Sequence, residues 1–304
     1  MPPKNIDKDV FDAYIKAGKI AGEALKRGHD LITIGAKPVQ IIDAVEAYIL
    51  SQGAGLAFPA QISINNVAAH TCATDEDDYV LAEDDVIKLD CGVHVNGYIA
   101  DNAVCVTLGT THAALVKAAR DALNAAIKAI KPGITNGEVG AIIHKTITQA
   151  GFSPVRNLSG HGLGRYIIHT TPSIPNYDSG DRFVLKEGAV VAIEPFATTG
   201  KGAIFESDNA TIFALKQRKP IRSPYARELL KEIETYNGLP FTTRWLTRKF
   251  GAGKTKLALR ELIQAGILHE HPPLPEVGGG IVSQAEHTII VADPVIVTTD
   301  SGYF

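Results

Sequence analysis

Two aspartates on either side of a predicted hairpin are the first residues whose types and spacing suggest chemistry. Asn96–Gly97 lies between apolar runs, which is a strong signal for a two-residue turn between antiparallel strands. Such a turn places Asp101 opposite Gly92 and leaves Asp90 on the same face, about 7–8 Å away by Cβ. Two carboxylates on one buried face repel each other unless a cation lies between them. The hairpin therefore predicts a metal site; the alternative, that both aspartates project into solvent at strand ends, is disfavoured by their apolar flanks.

A glycine-rich segment around His161 offers a second kind of ligand. Glycines occupy positions 160, 162 and 164, and His169 follows eight residues after His161. Their spacing misses the dinucleotide-binding fingerprint and opens no obvious helix, so we interpret the segment as a loop with backbone space for a ligand. On these residues alone, His161 is either a metal ligand or a structural histidine.

Two glutamates stand beside strand-like runs further along the chain. Glu194 closes an apolar run, and Glu286 precedes a β-branched run. Each one alone is consistent with an ordinary residue at a strand end. With Asp90, Asp101 and His161 they form a set of four carboxylates and one imidazole. That set suits one or two hard or borderline divalent cations and is too acidic for a structural zinc.

Other conspicuous features receive ordinary interpretations. The segment 251–255 resembles a phosphate-binding loop, but Arg248 occupies the position of its first glycine and no hydrophobic strand precedes it. Three cysteines cannot form a disulfide framework, which fits a reducing compartment. His269 and His271 are assigned to a proline-bounded loop and His287 to a strand, none of them as a ligand.

Mixed helices and strands must position these groups. Helical spacing is clear in residues 10–25 and 41–50, whereas 86–101 and 281–299 are strand-like, so an α/β or α+β fold is expected. The 304 residues, of which 45% are hydrophobic, suffice for a sizeable core. No apolar run approaches the roughly 18 residues of a membrane span, and the N-terminus lacks the apolar core of a signal peptide. A soluble cytoplasmic protein is the expectation.

One segment differs from the rest of the chain in charge. Residues 216–260 carry 12 Lys/Arg and 3 Glu, a local charge of +9, whereas the remainder of the chain is at −12. The segment is helix-rich and interrupts a strand-rich region, which favours an inserted module that could meet an anionic partner. A solvated helical surface is the alternative.

The ordered motifs together resemble a known family, the methionine aminopeptidases. Segments 88–101, 160–164, 192–196 and 285–289 are similar to the family's four metal-site motifs. Segments 65–70 and 168–175 are similar to its type 2 branch in the archaeal form. The resemblance implies the pita-bread fold, with two pseudo-symmetric halves around a dinuclear metal site. It also implies a catalytic domain formed by 1–215 and 276–304, and a basic helical insertion at 216–275.

The same resemblance implies the roles of individual residues. Two divalent ions, Co, Mn, Fe or Zn, would be held by Asp90, Asp101, His161, Glu194 and Glu286, with Asp101 and Glu286 bridging. His70 and His169 would face the substrate, and the methionine pocket would be lined by Phe58, Ile168 and Phe196. Ala285 replaces an aromatic residue that is often found at its position, which concerns local packing.

The implied activity is removal of the initiator methionine from nascent polypeptides, with preference for a small uncharged second residue. A metal-bridging hydroxide would attack the peptide carbonyl, and Glu194 would shuttle the proton. A monomer is expected, with neither membrane nor DNA as a partner, and the 216–260 segment could attach transiently to the ribosome. Two alternatives remain at this point: a proline-specific aminopeptidase or dipeptidase of the same fold, and a non-catalytic relative that binds ribosomes or RNA.

Overall fold

The computed structural model describes residues 2–302, and both helices and strands contribute to its cores, as expected from the sequence. The helices are α1 Lys8–Leu31, α2 Pro38–Ser51, α3 Ala113–Ala129, α4 Asn136–Gln149, α5 Pro224–Glu234, α6 Thr243–Phe250 and α7 Ala252–Gln264. The strands are β1 Gly55–Leu56, β2 Gln61–Ile64, β3 Val86–Val95, β4 Tyr98–Thr107, β5 Ser153–Pro154, β6 Ser159–Gly164, β7 Ile167–Pro175, β8 Val190–Ile193, β9 Phe196–Thr198, β10 Ile212–Leu215, β11 Phe241–Thr242, β12 Leu268–His271, β13 Val282–Gln284, β14 His287–Ile290 and β15 Ile296–Val297. None of the helices between residues 2 and 302 combines the length and apolarity that a bilayer crossing requires.

The predicted aspartate hairpin is present with the predicted register. Strands β3 and β4 pair antiparallel, with Gly92 opposite Asp101. Asn96 and Gly97 adopt positive φ angles of 54° and 88°, as a primed two-residue turn requires. Strands β1 and β2 complete this sheet on β3, and helices α1 and α2 pack with it around one apolar core. The turn chemistry therefore fixes which residues of β3 and β4 face each other.

A second helix pair and sheet form the other half. Strands β15, β14, β8, β6 and β7 lie in that order in one sheet, and α3 and α4 share its core. The glycine-rich segment is not a loop, as the sequence suggested, but strand β6. A Cβ at Gly160 would lie 2.3 Å from the Ala192 carbonyl oxygen, and one at Gly162 would lie 2.4 Å from that of Thr171. These glycines therefore serve close approach between backbones rather than space for a ligand.

The basic segment contains α5, α6 and α7 and has its own apolar core. Helix α7 starts at Ala252, so the phosphate-loop mimic at 251–255 forms the junction between α6 and α7 and the first turn of α7. Strands β11 and β12 of this region pair with β10, which precedes residue 216. The domain bounds at 216 and 275 remain predictions.

Buried charges fasten this region to α2. The Arg244 guanidinium is only 2% exposed and donates to Asp43 and Glu46. Trp245 Nε1 donates to the other oxygen of Glu46 at 2.9 Å. Arg248 donates to Asp43 at 2.8 and 2.7 Å, at the exposed edge of the same interface. Since a buried charge is tolerated only when it is paired, these contacts fix α6 against α2.

Candidate active site

Five predicted ligands converge in one cavity of about 540 Å³. They come from both halves of the fold: Asp90 lies on β3, Asp101 on β4, His161 on β6, Glu194 directly after β8, and Glu286 between β13 and β14. Residues that are far apart in the chain are thus brought to one place by the two sheets.

His161 lies close to two of its acidic neighbours. Its Nε2 lies 3.6 Å from Oε1 of Glu194 and 3.8 Å from Oδ2 of Asp101. Ligand atoms of Asp101, His161 and Glu286 all lie within 4.8 Å of one another. Such spacing between an imidazole nitrogen and carboxylate oxygens allows them to share a cation.

Main-chain pairing between the halves holds these groups in place. The amide of Glu286 donates to the carbonyl of Ala103 at 3.0 Å. Asp101 lies two residues before Ala103, and its amide donates to Oγ1 of Thr288 at 2.8 Å. The same hydroxyl lies 2.8 Å from the Asp101 carbonyl oxygen. On the other side, His161 of β6 is opposite Ala192 of β8. Asp101, His161 and Glu286 are therefore positioned by strand pairing and by the contact with Thr288.

The carboxylates of the cavity are electrostatically unfavourable without a cation. Burial raises the pKa of Asp90 to about 7. Burial and then mutual repulsion raise the pKa values of Asp101, Glu194 and Glu286 well above their usual range. The Oδ1 atoms of Asp90 and Asp101 are buried without a hydrogen-bond donor among the described residues. Buried acceptors without donors fit a site in which a cation supplies the missing interaction.

His161 is prepared for a ligand role by its surroundings. Burial, followed by the proximity of His169, lowers the pKa of His161 to about 3, so the ring is neutral at pH 7. Its Nδ1 lies 3.2 Å from the Gly162 carbonyl oxygen. A proton on Nδ1 satisfies that contact and leaves the Nε2 lone pair directed at the carboxylates.

All the predicted substrate-side residues line the same cavity: Phe58, His70, Ile168, His169 and Phe196. The ring centroid of His169 lies 4.3 Å from that of His161. Burial lowers the pKa of His169, and burial with the nearby His169 lowers that of His70 to about 4. Both imidazoles are thus neutral near pH 7, and each carries one N–H; the His70 ring also lies within hydrogen-bonding reach of the Pro272 backbone.

The sequence analysis missed His271, which also lines the cavity. It lies on β12 rather than in a loop, and its ring centroid is 5.7 Å from that of His70 and 4.7 Å from that of His269. Burial lowers the pKa of His271 to about 3. The spacing of two between His269 and His271 is compatible with one face of a strand, but only the pairing of β12 with β10 reveals which face meets the cavity.

Gln61 and Pro240 are further residues of the cavity wall that the sequence analysis did not identify. Gln61 lies on β2, directly opposite Asp90 of β3. Pro240 belongs to the basic region, so that region closes part of the cavity although it provides none of the five predicted ligands. Neither residue belongs to a local motif, and no sequence signal marks either one.

Comparisons with known proteins identify a family for this chain. The model of a protein family described as "Metallopeptidase family M24" matches residues 12–213. A methionine aminopeptidase of Thermococcus onnurineus is 47% identical over 93% of this chain and 97% of its own length. One of Archaeoglobus fulgidus is 44% identical over 95% of this chain and 97% of its own length.

Solved structures show the same fold. A methionine aminopeptidase of Thermotoga maritima has a TM-score of 0.73 at 23% identity and covers 98% of this chain and 100% of its own. A prolidase of Pyrococcus furiosus has a TM-score of 0.61 at 21% identity, and the match spans 97% of this chain but 65% of the prolidase. The pita-bread α/β fold is confirmed by these likenesses. With relatives this similar along almost its whole length, the chain belongs to the methionine aminopeptidases of metallopeptidase family M24.

Proposed function

We propose that this enzyme removes the initiator methionine from nascent polypeptides, using two divalent cations in the cavity described above. One observation carries the proposal: four carboxylates and a neutral imidazole converge beside an apolar pocket, and two of their oxygens are buried without donors among the described residues. The archaeal relatives named above support the same activity.

The donor set fits divalent cations. Asp90, Asp101, His161, Glu194 and Glu286 would hold them. Oxygen and imidazole ligands accept Co, Mn, Fe and Zn alike. When bound, such ions supply Lewis acidity, which lowers the pKa of water and polarises the scissile carbonyl.

The side chains of the cavity then perform the proton transfers. Glu194 lines the cavity beside the other predicted ligands, where its carboxylate can accept a proton from water and pass it to the leaving amine. Neutral His70 and His169 donate N–H groups to the oxygen that becomes negative as the carbonyl is attacked. These roles need both histidines uncharged, which matches their lowered pKa values.

Selectivity would come from the apolar part of the cavity. Phe58, Ile168 and Phe196 are buried and surround a space that suits an unbranched thioether side chain. Pro240 and His271 limit the space beyond, which favours a small second residue. We expect a monomer that acts in the cytoplasm.

A proline-specific peptidase is the enzymatic alternative. The structural likeness between this chain and the prolidase of Pyrococcus furiosus leaves about a third of the prolidase unmatched, and it shows only that the fold is shared. Parallel assays of Met-Ala peptides and Xaa-Pro dipeptides separate the two: turnover of Xaa-Pro alone overturns the proposal.

Attachment to the ribosome through the 216–260 segment is a further proposal. Five of its twelve basic residues form ion pairs: Arg218, Arg244, Arg248, Lys249 and Lys254. The other seven form none within residues 2–302, and they supply the charge that a phosphate backbone would meet. Co-sedimentation with ribosomes that weakens steeply between roughly 50 and 200 mM salt is expected. Its absence at every salt concentration counts against attachment.

The decisive experiment combines metal analysis with a peptide assay. Protein purified without chelators should contain divalent metal and release methionine from Met-Ala peptides. Removal of the metal should stop turnover, and its return should restore it. Full turnover after complete metal removal would overturn the proposal.

A further inference from the structure

His70 has a main-chain conformation that few residues other than glycine adopt. Its φ angle is +66°, in the left-handed region, which histidine enters more readily than most residue types but still at an energetic cost. Strain of this kind persists only where the surrounding structure imposes it, and it is common at functional sites. Since the direction of the side chain follows from the main chain, whatever holds this conformation also aims the imidazole.

The side chain of Gln61 provides that restraint. Its Oε1 accepts the amide N–H of His70 at 2.8 Å. Beside it, the amide of Ile62 donates to the carbonyl of Thr71 at 3.0 Å. Segment 70–71 is therefore tied to β2 by two hydrogen bonds, and only the one to His70 depends on a side chain.

Gln61 also connects His70 to the strand that carries a predicted ligand. Gln61 is only 7% exposed, and its Cα is the partner of Asp90 in the pairing of β2 with β3. Nδ1 of the His70 ring is buried without a hydrogen-bond partner among the described residues, and the rest of the ring lies beside the Pro272 backbone and the His271 ring. Together with these contacts, the main chain sets where the ring lies relative to the carboxylates.

We propose that Gln61 is a positioning residue, which acts on the reaction through His70 and does not itself touch the reacting atoms. This role rests on the proposed function, in which His70 is an imidazole donor, and it assigns to Gln61 the task of fixing the position of that donor. Loss of the Gln61 acceptor releases the strained main chain and moves the ring away from the developing oxyanion. Substrate binding in the apolar pocket does not depend on this hydrogen bond.

The first test removes the acceptor and keeps the volume. For Gln61→Met, kcat on a Met-Ala peptide should fall about 10–100-fold, as expected for a displaced catalytic group, with KM within about twofold of wild type. Metal content should stay unchanged. Gln149→Met makes the same chemical change on the exposed end of α4 and should leave both constants unaltered. Gln61→Asn, whose amide is one methylene too short, provides the same comparison if the Met variant does not fold.

A double-mutant cycle then tests whether Gln61 acts through His70. Once His70→Ala has removed the imidazole, Gln61→Met should cost no further turnover, which is measured at high enzyme concentration. An equal loss in both backgrounds overturns the inference, as does a Gln61→Met enzyme with the kcat of Gln149→Met. Failure of the wild-type protein to cleave Met-Ala peptides would instead contradict the proposed function, so the two failures are distinguishable.

Discussion

Glu286 and Asp90 lie in one cross-strand row, although they belong to different halves of the fold. Asp90 is opposite Ala103 in the β3–β4 hairpin, and Ala103 is bridged in turn to Glu286 by the main-chain hydrogen bond between the halves. The row fixes the lateral positions of two carboxylates without any contribution from their own side chains. Changes to the carboxylates should therefore alter the chemistry, whereas changes to the backbone pairing should alter the geometry.

Replacing Glu194 by Gln should abolish peptide turnover while the fold persists. The amide cannot take the proton that the carboxylate accepts, so we expect kcat to fall by about 10²–10⁴-fold. Steady-state assays on a Met-Ala peptide measure the loss, and circular dichroism checks the fold. Glu206→Gln, an exposed site outside the cavity, serves as the control. Near-normal turnover by the Glu194→Gln enzyme would remove Glu194 from this role.

Metal should stabilise the protein more as the pH rises. In metal-free protein, burial raises the pKa of Asp90 to about 7, above the unfolded value of about 4. Because its pKa is higher in the folded state, Asp90 contributes fully to stability only at pH values below its unfolded pKa. This contribution is lost as the pH rises through its folded pKa. Bound cations favour the ionised form of the Asp90 carboxylate instead, so the metal-loaded protein does not lose this stability as the pH rises.

The melting temperatures of chelated and metal-loaded protein should therefore diverge between about pH 5 and about pH 8. Differential scanning calorimetry on matched samples gives the gap at each pH, and other titrating groups largely cancel in the difference. A gap that is constant or narrows with rising pH contradicts the expected charge balance in the cavity.

Gly162→Ala should weaken metal binding through the backbone. A Cβ at Gly162 would lie 2.4 Å from the Thr171 carbonyl oxygen, so β6 and β7 must separate beside His161. Gly164→Ala is the matched control, because its nearest neighbour is the Thr170 methyl carbon at 3.2 Å, which can move. Elemental analysis after dialysis should show metal loss only for Gly162→Ala; equal retention in both variants refutes this account of the glycines.

Arg244→Met should destabilise the protein by about 3–5 kcal/mol, because it leaves the buried Glu46 without its cation. The exposed pair of Arg218 with Glu234 offers a comparison, and Arg218→Met should cost at most about 1 kcal/mol. Denaturant unfolding of both variants measures the difference. Similar midpoints for the two would show that the contact with α2 contributes little.

The parts of the site that follow from local sequence could be predicted, and those that depend on close packing could not. Asn96–Gly97 dictates its turn through positive φ angles, so the register that places Asp101 opposite Gly92 follows from the sequence. The glycine at 162 was interpreted as loop space, because nothing local indicates that a neighbouring backbone lies against it. His271 was likewise overlooked, since only its strand pairing with β10 brings it to the cavity.

Part of the cavity wall comes from a region of the chain that carries none of the five predicted ligands. Pro240 lies in this wall only four residues before Arg244, whose buried ion pairs fasten that region to α2. Mutational drift around Pro240 can therefore alter which polypeptides gain entry while the chemistry at the centre is conserved. This part of substrate selection can thus evolve separately from bond cleavage, whereas the methionine pocket lies in the same cavity as the predicted ligands.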